Sequence, residues 1–325
     1  MTIESTGTPI LYLGFTLLVI ALLVVDFFVL KVHGAHRVGV KEAAGWSVVW
    51  IVIALAFCGW LWWYLGGRLP REVANEKALE YLTGYLIEKA LAVDNVFVWI
   101  TLFNFFAVPP EFQKRVLLYG VLGAILMRAV LIYAGAVLLA EFHWILYIFG
   151  LFLLVTGVKM LLFAKHEPDL EKNPILRWMR GHVRITDEHH GEKFSVMKDG
   201  VRYATPLFVV LVLVEVTDLI FAVDSIPAIF AITSDPFIVF TSNIFAILGL
   251  RAMYFLLADV AERFHLLKYG LAVVLMFIGV KMLLLDVYKI PVAIALGIVA
   301  LILLASVVTS LLMSRPADSG VEVRR

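Results

Sequence analysis

The chain has 325 residues, 62% of them hydrophobic and only 16% charged, with a mean hydropathy of +0.95. A soluble domain runs nearer roughly 45–50% apolar and about 25% charged, so composition excludes an ordinary soluble fold and defines an integral membrane protein with the lipid bilayer as its first partner. A net charge of +1 gives no reason to expect nucleic acid, and the single cysteine, Cys58, excludes an intrachain disulfide.

In chain order, stretches of roughly 20 apolar residues, enough for about 30 Å of hydrocarbon, fall at 10–30, 45–65, 80–106, 116–139, 144–163, 205–233, 237–258, 269–287 and 291–313. They predict an all-α membrane fold of about nine transmembrane helices, because open sheet edges cannot sit in lipid. No Lys or Arg precedes Ile10 and no small-residue cleavage pattern follows, so a cleaved signal peptide is not expected. With the N-terminus outside, 18 of the 27 lysines and arginines fall on the inside and four on the outside, which favours N-out, C-in. The remaining five, Lys89, Arg128, Lys159, Arg251 and Lys281, lie within the spans. Lys159 and Lys281 can equally snorkel to a nearby surface. Trp60, Trp62, Trp63 and Tyr64 close the second span as an interfacial anchor. The third span carries Glu80, expected at the interface, then Glu88 and Asp94, and ends at Pro109-Pro110. The 164–204 segment is a polar, charge-mixed inside loop with His166, His182, His189 and His190. Its Asp187 to Glu192 stretch could capture a divalent metal or sense pH, but an ordinary solvated loop is the plainer reading. A short polar tail follows Met313.

The chain repeats in blocks of three spans. Ala92-Val93-Asp94-Asn95 matches Ala222-Val223-Asp224-Ser225, the Arg128 segment resembles the Arg251 segment, and Gly157-Val158-Lys159-Met160-Leu161-Leu162 recurs unchanged at Gly279 to Leu284. Three spans is an odd number, so consecutive blocks enter the membrane from opposite sides and spans 3–5 and 6–8 form an inverted repeat, which places a substrate site near the midplane at their interface. The domains are therefore two peripheral helices (1–79), the first repeat (80–163), the inside loop (164–204), the second repeat (205–288), and a ninth helix with its tail (289–325).

Two acidic stretches sit in this apolar background, Glu88 to Asn95 and Glu215 to Pro227. Embedded carboxylates cost several kcal/mol each unless a partner or bound cation compensates them. On an ideal helix Glu88 and Asp94 lie roughly 120° apart, whereas Glu88 and Asn95 share a face, as do Asp218 and Ser225. Pro227 frees the carbonyl of Val223 and invites a kink beside Asp224. Asp, Glu, Asn and Ser without Cys select hard cations such as Mg²⁺, Ca²⁺ or Mn²⁺. Arg128 and Arg251 could serve as surrogate cations, and protonation of the carboxylates would weaken binding and permit proton-coupled release. The plainer alternative is a set of structural salt bridges.

The stretch Glu215 to Ala228 resembles the signature of the TerC family of tellurium-resistance-type membrane proteins, which includes the alkali-inducible Alx proteins, within the lysine-exporter-like superfamily. Glu88 to Trp99 is similar to its first-repeat counterpart, and Lys165 to Leu170 and Tyr203 to Leu207 resemble the family's central loop. The resemblance implies a nine-span bacterial inner-membrane protein associated with Mn²⁺ export and with supplying metal to exported enzymes. By this carry-over the metal positions are Glu88, Asp94, Asn95, Glu215, Asp218, Asp224 and Ser225, with Asp94 and Asp224 as the paired central ligands. Arg128, Arg251, Lys89, Lys159 and Lys281 are the charge-compensating set. The expectation is a transporter, not an enzyme, with Mn²⁺ as substrate and Mg²⁺ or Ca²⁺ as competitors. The rivals are a scaffold or metal-delivery factor with secretion-linked protein partners, and an organic-solute exporter whose carboxylates receive an amine.

Overall fold

The computed structural model describes residues 5–33, 39–142, 144–163, 170–188, 190–258 and 266–313. Lys165, His166, His189, the 259–265 segment and the tail after Met313 lie outside the described residues. The chain is an all-α integral membrane protein. Its helices are α1 (Pro9–His33), α2 (Val40–Gly66), α3 (Arg71–Phe105), α4 (Pro110–Glu141), α5 (Ile145–Leu162), α6 (Pro174–His182), α7 (Pro206–Phe230), α8 (Pro236–Leu248), α9 (Leu250–Ala258), α10 (Leu267–Leu283) and α11 (Val292–Met313). Each of the nine apolar stretches is helical, with 237–258 divided into α8 and α9, which bend by 40° at Gly249. By length and apolarity alone, six helices qualify as spans, or seven with the bent pair. The two left out are α3, which carries Glu88, Lys89 and Asp94, and α10, which has 17 residues.

Local chemistry sets the helix ends. Prolines open α4, α6, α7 and α8, where a missing N–H costs nothing. Asp235 caps α8 by accepting from Phe237 N at 3.0 Å, and Asn173 caps α6 through Ile175 N at 2.9 Å. Pro227 does not break α7, which stays helical to Phe230. The proline lies one turn from the helix end, so it disturbs only the carbonyl of Val223. The break expected there occurs instead at Gly249.

The packing of the two triplets is symmetric under exchange. Helices α3 and α4 each pack against α7 and α8, and α5 packs closely on α10. At that last crossing the helices run antiparallel with backbones almost touching. A Cβ on Gly157 would stand 2.8 Å from Ala272 O and 3.0 Å from Met276 N; a Cβ on Gly279 would stand 2.7 Å from both Gly150 O and Leu154 N. Shifting either residue pair by 122 positions gives the other. Small residues at such crossings let membrane helices gain van der Waals contact that larger ones would block. Helices outside the triplets also enter the core: α2 packs on α3 and α9, and α11 on α10 and α3. On the rim, Arg71 lies over the ring of Trp62, 3.8 Å from its centroid, consistent with an anchored end of α2.

The 164–204 segment is more structured than its composition suggests. It contains α6 and a two-stranded hairpin, β1 (Ser195–Lys198) with β2 (Val201–Ala204). Asp199 (φ 52°) and Gly200 (φ 72°) make the turn, the Asp-Gly pairing that two-residue hairpins favour.

Candidate functional site

The site is built from one stripe on each of four helices. On α3, Tyr81, Glu88, Asn95 and Leu102 recur every seven residues and are all buried. On α4 the buried stripe runs Leu117, Val121, Ala124, Arg128, Ile132 and Ala136. On α7, Asp218, Ala222, Ser225 and Ile226 face inward, while Leu219, Ile220 and Val223 face outward. From α8 come Thr241, Ser242 and Asn243, each fully buried.

Arg128, only 2% exposed, joins these stripes. Its Nη1 donates to Glu88 Oε1 at close range, to Ser225 Oγ at 3.0 Å and to Asn243 Oδ1 at 2.8 Å. Across the same interface Asn95 Nδ2 donates to Asp218 Oδ1 at 2.8 Å. Asp218 is electrostatically coupled to Arg128, Glu88 and Glu215. Each of the site's two buried carboxylates keeps one oxygen without a protein partner among the described residues, Glu88 Oε2 and Asp218 Oδ2. Such orphaned acceptors are rare, and each calls for an explanation. Arg128 Nε, Tyr85 OH and Trp99 Nε1 are buried and unpartnered too.

Of the residues singled out from sequence, Glu88, Asn95, Asp218 and Ser225 are brought together with Arg128. Glu215 lies one turn from Asp218, its carboxylate filling the space where Gly123 of α4 has no side chain. Asp94 and Asp224 do not meet as a central pair. Asp94 faces Lys268, and Asp224 faces Lys159 with a hydrogen bond to Thr156. The 120° rotation between Glu88 and Asp94 explains the separation: one helix face cannot hold both. Arg251 is likewise not in the site. It pairs with Asp26 of α1 instead. Lys89 Nζ donates to Ala246 O at 3.3 Å and Lys281 Nζ to Ala231 O at 3.0 Å, so both meet helix-end carbonyls. Lys159 is exposed on α5, within electrostatic reach of Asp224. Asn243 was not anticipated, although three consecutive polar residues inside an apolar stretch were a visible signal.

Among the described residues no three His, Cys, Asp or Glu side chains converge closely enough to hold a metal ion. In the loop, Glu188 pairs with Lys198 at 3.1 Å and Glu192 with Arg115 at 3.3 Å. The Lys198 hydrogen bond holds the Glu188 carboxyl below its ordinary range. These charges neutralise one another, in keeping with the plainer reading of that stretch.

The fold and site define a multi-pass membrane protein whose two helix triplets enclose a buried, cross-linked carboxylate pair. The chain belongs to the Integral membrane protein TerC family, which residues 73–318 match. It is 56% identical over 315 residues to a Salmonella typhi protein named as a proposed membrane-bound redox modulator, Alx, covering 97% of this chain and 98% of the relative. The Escherichia coli K12 protein of the same name is 58% identical over 296 residues, covering 91% and 92%. A Myxococcus xanthus membrane protein without a described function is 47% identical over 319 residues, covering 98% and 97%. No solved structure matches the chain.

Proposed function

We propose that the chain is a bacterial inner-membrane transporter that exports a divalent cation, Mn²⁺, with Mg²⁺ and Ca²⁺ as competitors. One observation carries this reading. Two fully buried carboxylates from opposite triplets, Glu88 and Asp218, each hold one oxygen in a hydrogen bond and one in reserve. Arg128 occupies the cationic position between the elements. A divalent ion entering from the side would take Glu88 from Arg128 and engage the reserve oxygens, with the amide oxygen of Asn95 adding a neutral hard donor while Ser225 and Asn243 keep hold of the guanidinium. Asp94 and Asp224 are then approach carboxylates, released in turn from Lys268 and Lys159. The choice of Mn²⁺, the export direction and the N-out, C-in orientation rest on the family resemblance and the positive-inside count. Proton exchange follows from the need to deprotonate carboxylate ligands before metal binds. The redox description of the relatives finds no dithiol here, since Cys58 is the one thiol of the sequence and is buried in α2.

The test is Mn²⁺ flux in proteoliposomes, with lysine and Mg²⁺ as competitors. Glu88→Gln and Asp218→Asn should abolish flux in protein that still folds. Asp94→Ala and Asp224→Ala should lower it. Undiminished flux in all four variants removes the site, and inhibition by lysine but not by divalent ions favours an organic-solute exporter.

A further inference from the structure

The span made by α8 and α9 breaks inside the protein: Leu248 on one side of Gly249 is 3% exposed and Leu250 on the other 0%. A helix that stops there leaves its last carbonyls without intrahelical donors. It also concentrates the negative end of its dipole at the break. Neither is tolerable in a dry interior unless a donor arrives from elsewhere. Lys89 of α3 supplies one, its Nζ donating to Ala246 O in the last turn of α8 at 3.3 Å. Gly249 makes the approach possible. A Cβ at this position would stand 2.5 Å from Lys89 Nζ, with Trp50 Cβ next at 3.3 Å.

We propose that Lys89 is a positioning residue that caps the C terminus of α8 at the break and so sets where Asn243 stands. Asn243 lies one turn before Ala246, and its Oδ1 receives Arg128 Nη1 at 2.8 Å. The end of α8 cannot swing without moving that acceptor. The assignment replaces a role for Lys89 as counter-ion to Glu88, which has Arg128 as its own partner. Lys281 repeats the device before the other end of α8, in the α7–α8 connection, donating to Ala231 O, the C-cap of α7, at 3.0 Å. The short helix bearing Asn243 is thus bracketed by two ammonium groups, that of Lys281 buried and that of Lys89 partly so. This reading concerns how α8 is held and stands whether or not the carboxylate site carries Mn²⁺.

The experiment is amide hydrogen exchange by mass spectrometry on the purified full-length protein in detergent, without added metal. Loss of a charged hydrogen bond at a helix end should raise exchange across 246–253 in Lys89→Met by about tenfold or more. The α5–α10 crossing should stay unchanged. Gly249→Ala, which displaces the ammonium, should produce the same local opening. Added to Lys89→Met it should do little more, because its collision partner is gone. A counter-ion role predicts instead that Glu88→Gln offsets Lys89→Met. Wild-type exchange in Lys89→Met, full additivity of the two changes, or recovery with Glu88→Gln overturns the assignment. Should Lys89→Met not fold, Gly249→Ala alone decides: unchanged exchange at 246–253 refutes the cap. Failure of Mn²⁺ flux in the wild type would sink the transport reading and leave this result untouched.

Discussion

Replacing Arg128 with methionine probes the centre of the site. The guanidinium is 2% exposed and its Nη1 serves Glu88, Ser225 and Asn243. Methionine keeps most of the stem volume but leaves Glu88, 0% exposed, without a counter-charge. Breaking one side of a buried pair costs about 3–5 kcal/mol, most of it the stranded charge. The double variant Arg128→Met/Glu88→Gln removes both charges and should recover to within about 2 kcal/mol of wild type, since neutral replacements of buried pairs are often close to isoenergetic. Mn²⁺ supplies the second arm. If it takes the position that Arg128 holds, the single variant should be stabilised more strongly than wild type, approaching about 2.7 kcal/mol at a hundredfold excess over Kd. Thermal unfolding of the three proteins in detergent, with and without Mn²⁺, reads both effects. Equal instability of the single and double variants would show that Arg128 acts by packing alone. An Mn²⁺ response no larger in Arg128→Met than in wild type would refute displacement.

Gly123→Ala should destabilise by about 1–3 kcal/mol, because the added Cβ meets both carboxylate oxygens of Glu215; Gly123→Ala/Glu215→Ala should recover most of the loss in the same melting assay. Gly279→Ala should cost at least as much, its neighbours being backbone atoms at 2.7 Å, whereas Gly297→Ala, with nothing within 4 Å, should be neutral or slightly stabilising. Mn²⁺ flux should fall as the pH on the loading side is lowered through the range in which the site carboxylates take up protons; flux independent of pH contradicts competition between proton and metal. Beside the hairpin, Glu188 has its carboxyl lowered by Lys198 of β1, so the contact's contribution is full above the ordinary glutamate value and fades as pH falls through the lowered one. Amide protection over 195–204 should therefore persist at pH 5 and weaken only once the pH falls below the ordinary glutamate range.

The helices were legible because hydrophobic length is a local property, and even α3 with its charges and α10 with its 17 residues lie in apolar stretches long enough to be read. Register was legible as well: seven-residue spacing put Glu88 with Asn95 and Asp218 with Ser225, and both pairs are buried together. Pairing across helices was not. Nothing local distinguishes Arg128 from Arg251, yet one meets Glu88 and the other Asp26, 225 residues away in the chain. The bend was misplaced for a related reason. Pro227 carries an obvious local signal, but near a helix end its missing donor disturbs little. Gly249 carries almost none, and its effect depends on Lys89 arriving from another helix.

This unequal use of the arginines bears on what the site can do. The backbone crossing of α5 and α10 is two-fold, so two equivalent arginine sites would be the symmetric outcome. Asp26 of α1, a helix outside both triplets, removes Arg251 from that scheme. With Glu88 and Asp218 ionised, Arg128 alone leaves the centre one charge short of neutral, and Glu215, a turn from Asp218, deepens the deficit when it ionises. A second arginine would have closed the balance and left no electrostatic reason for a cation to enter. Arg128 also need not be stranded when Glu88 turns to an incoming ion. Two of its three acceptors, Ser225 Oγ at 3.0 Å and Asn243 Oδ1 at 2.8 Å, are neutral and do not depend on the carboxylate. The guanidinium can keep both while giving up the third, so exchange of a tethered cation for a mobile one passes through no bare buried charge. On this argument Ser225→Ala and Asn243→Ala should slow the exchange without removing either carboxylate ligand, lowering the maximal rate of Mn²⁺ flux more than the apparent affinity.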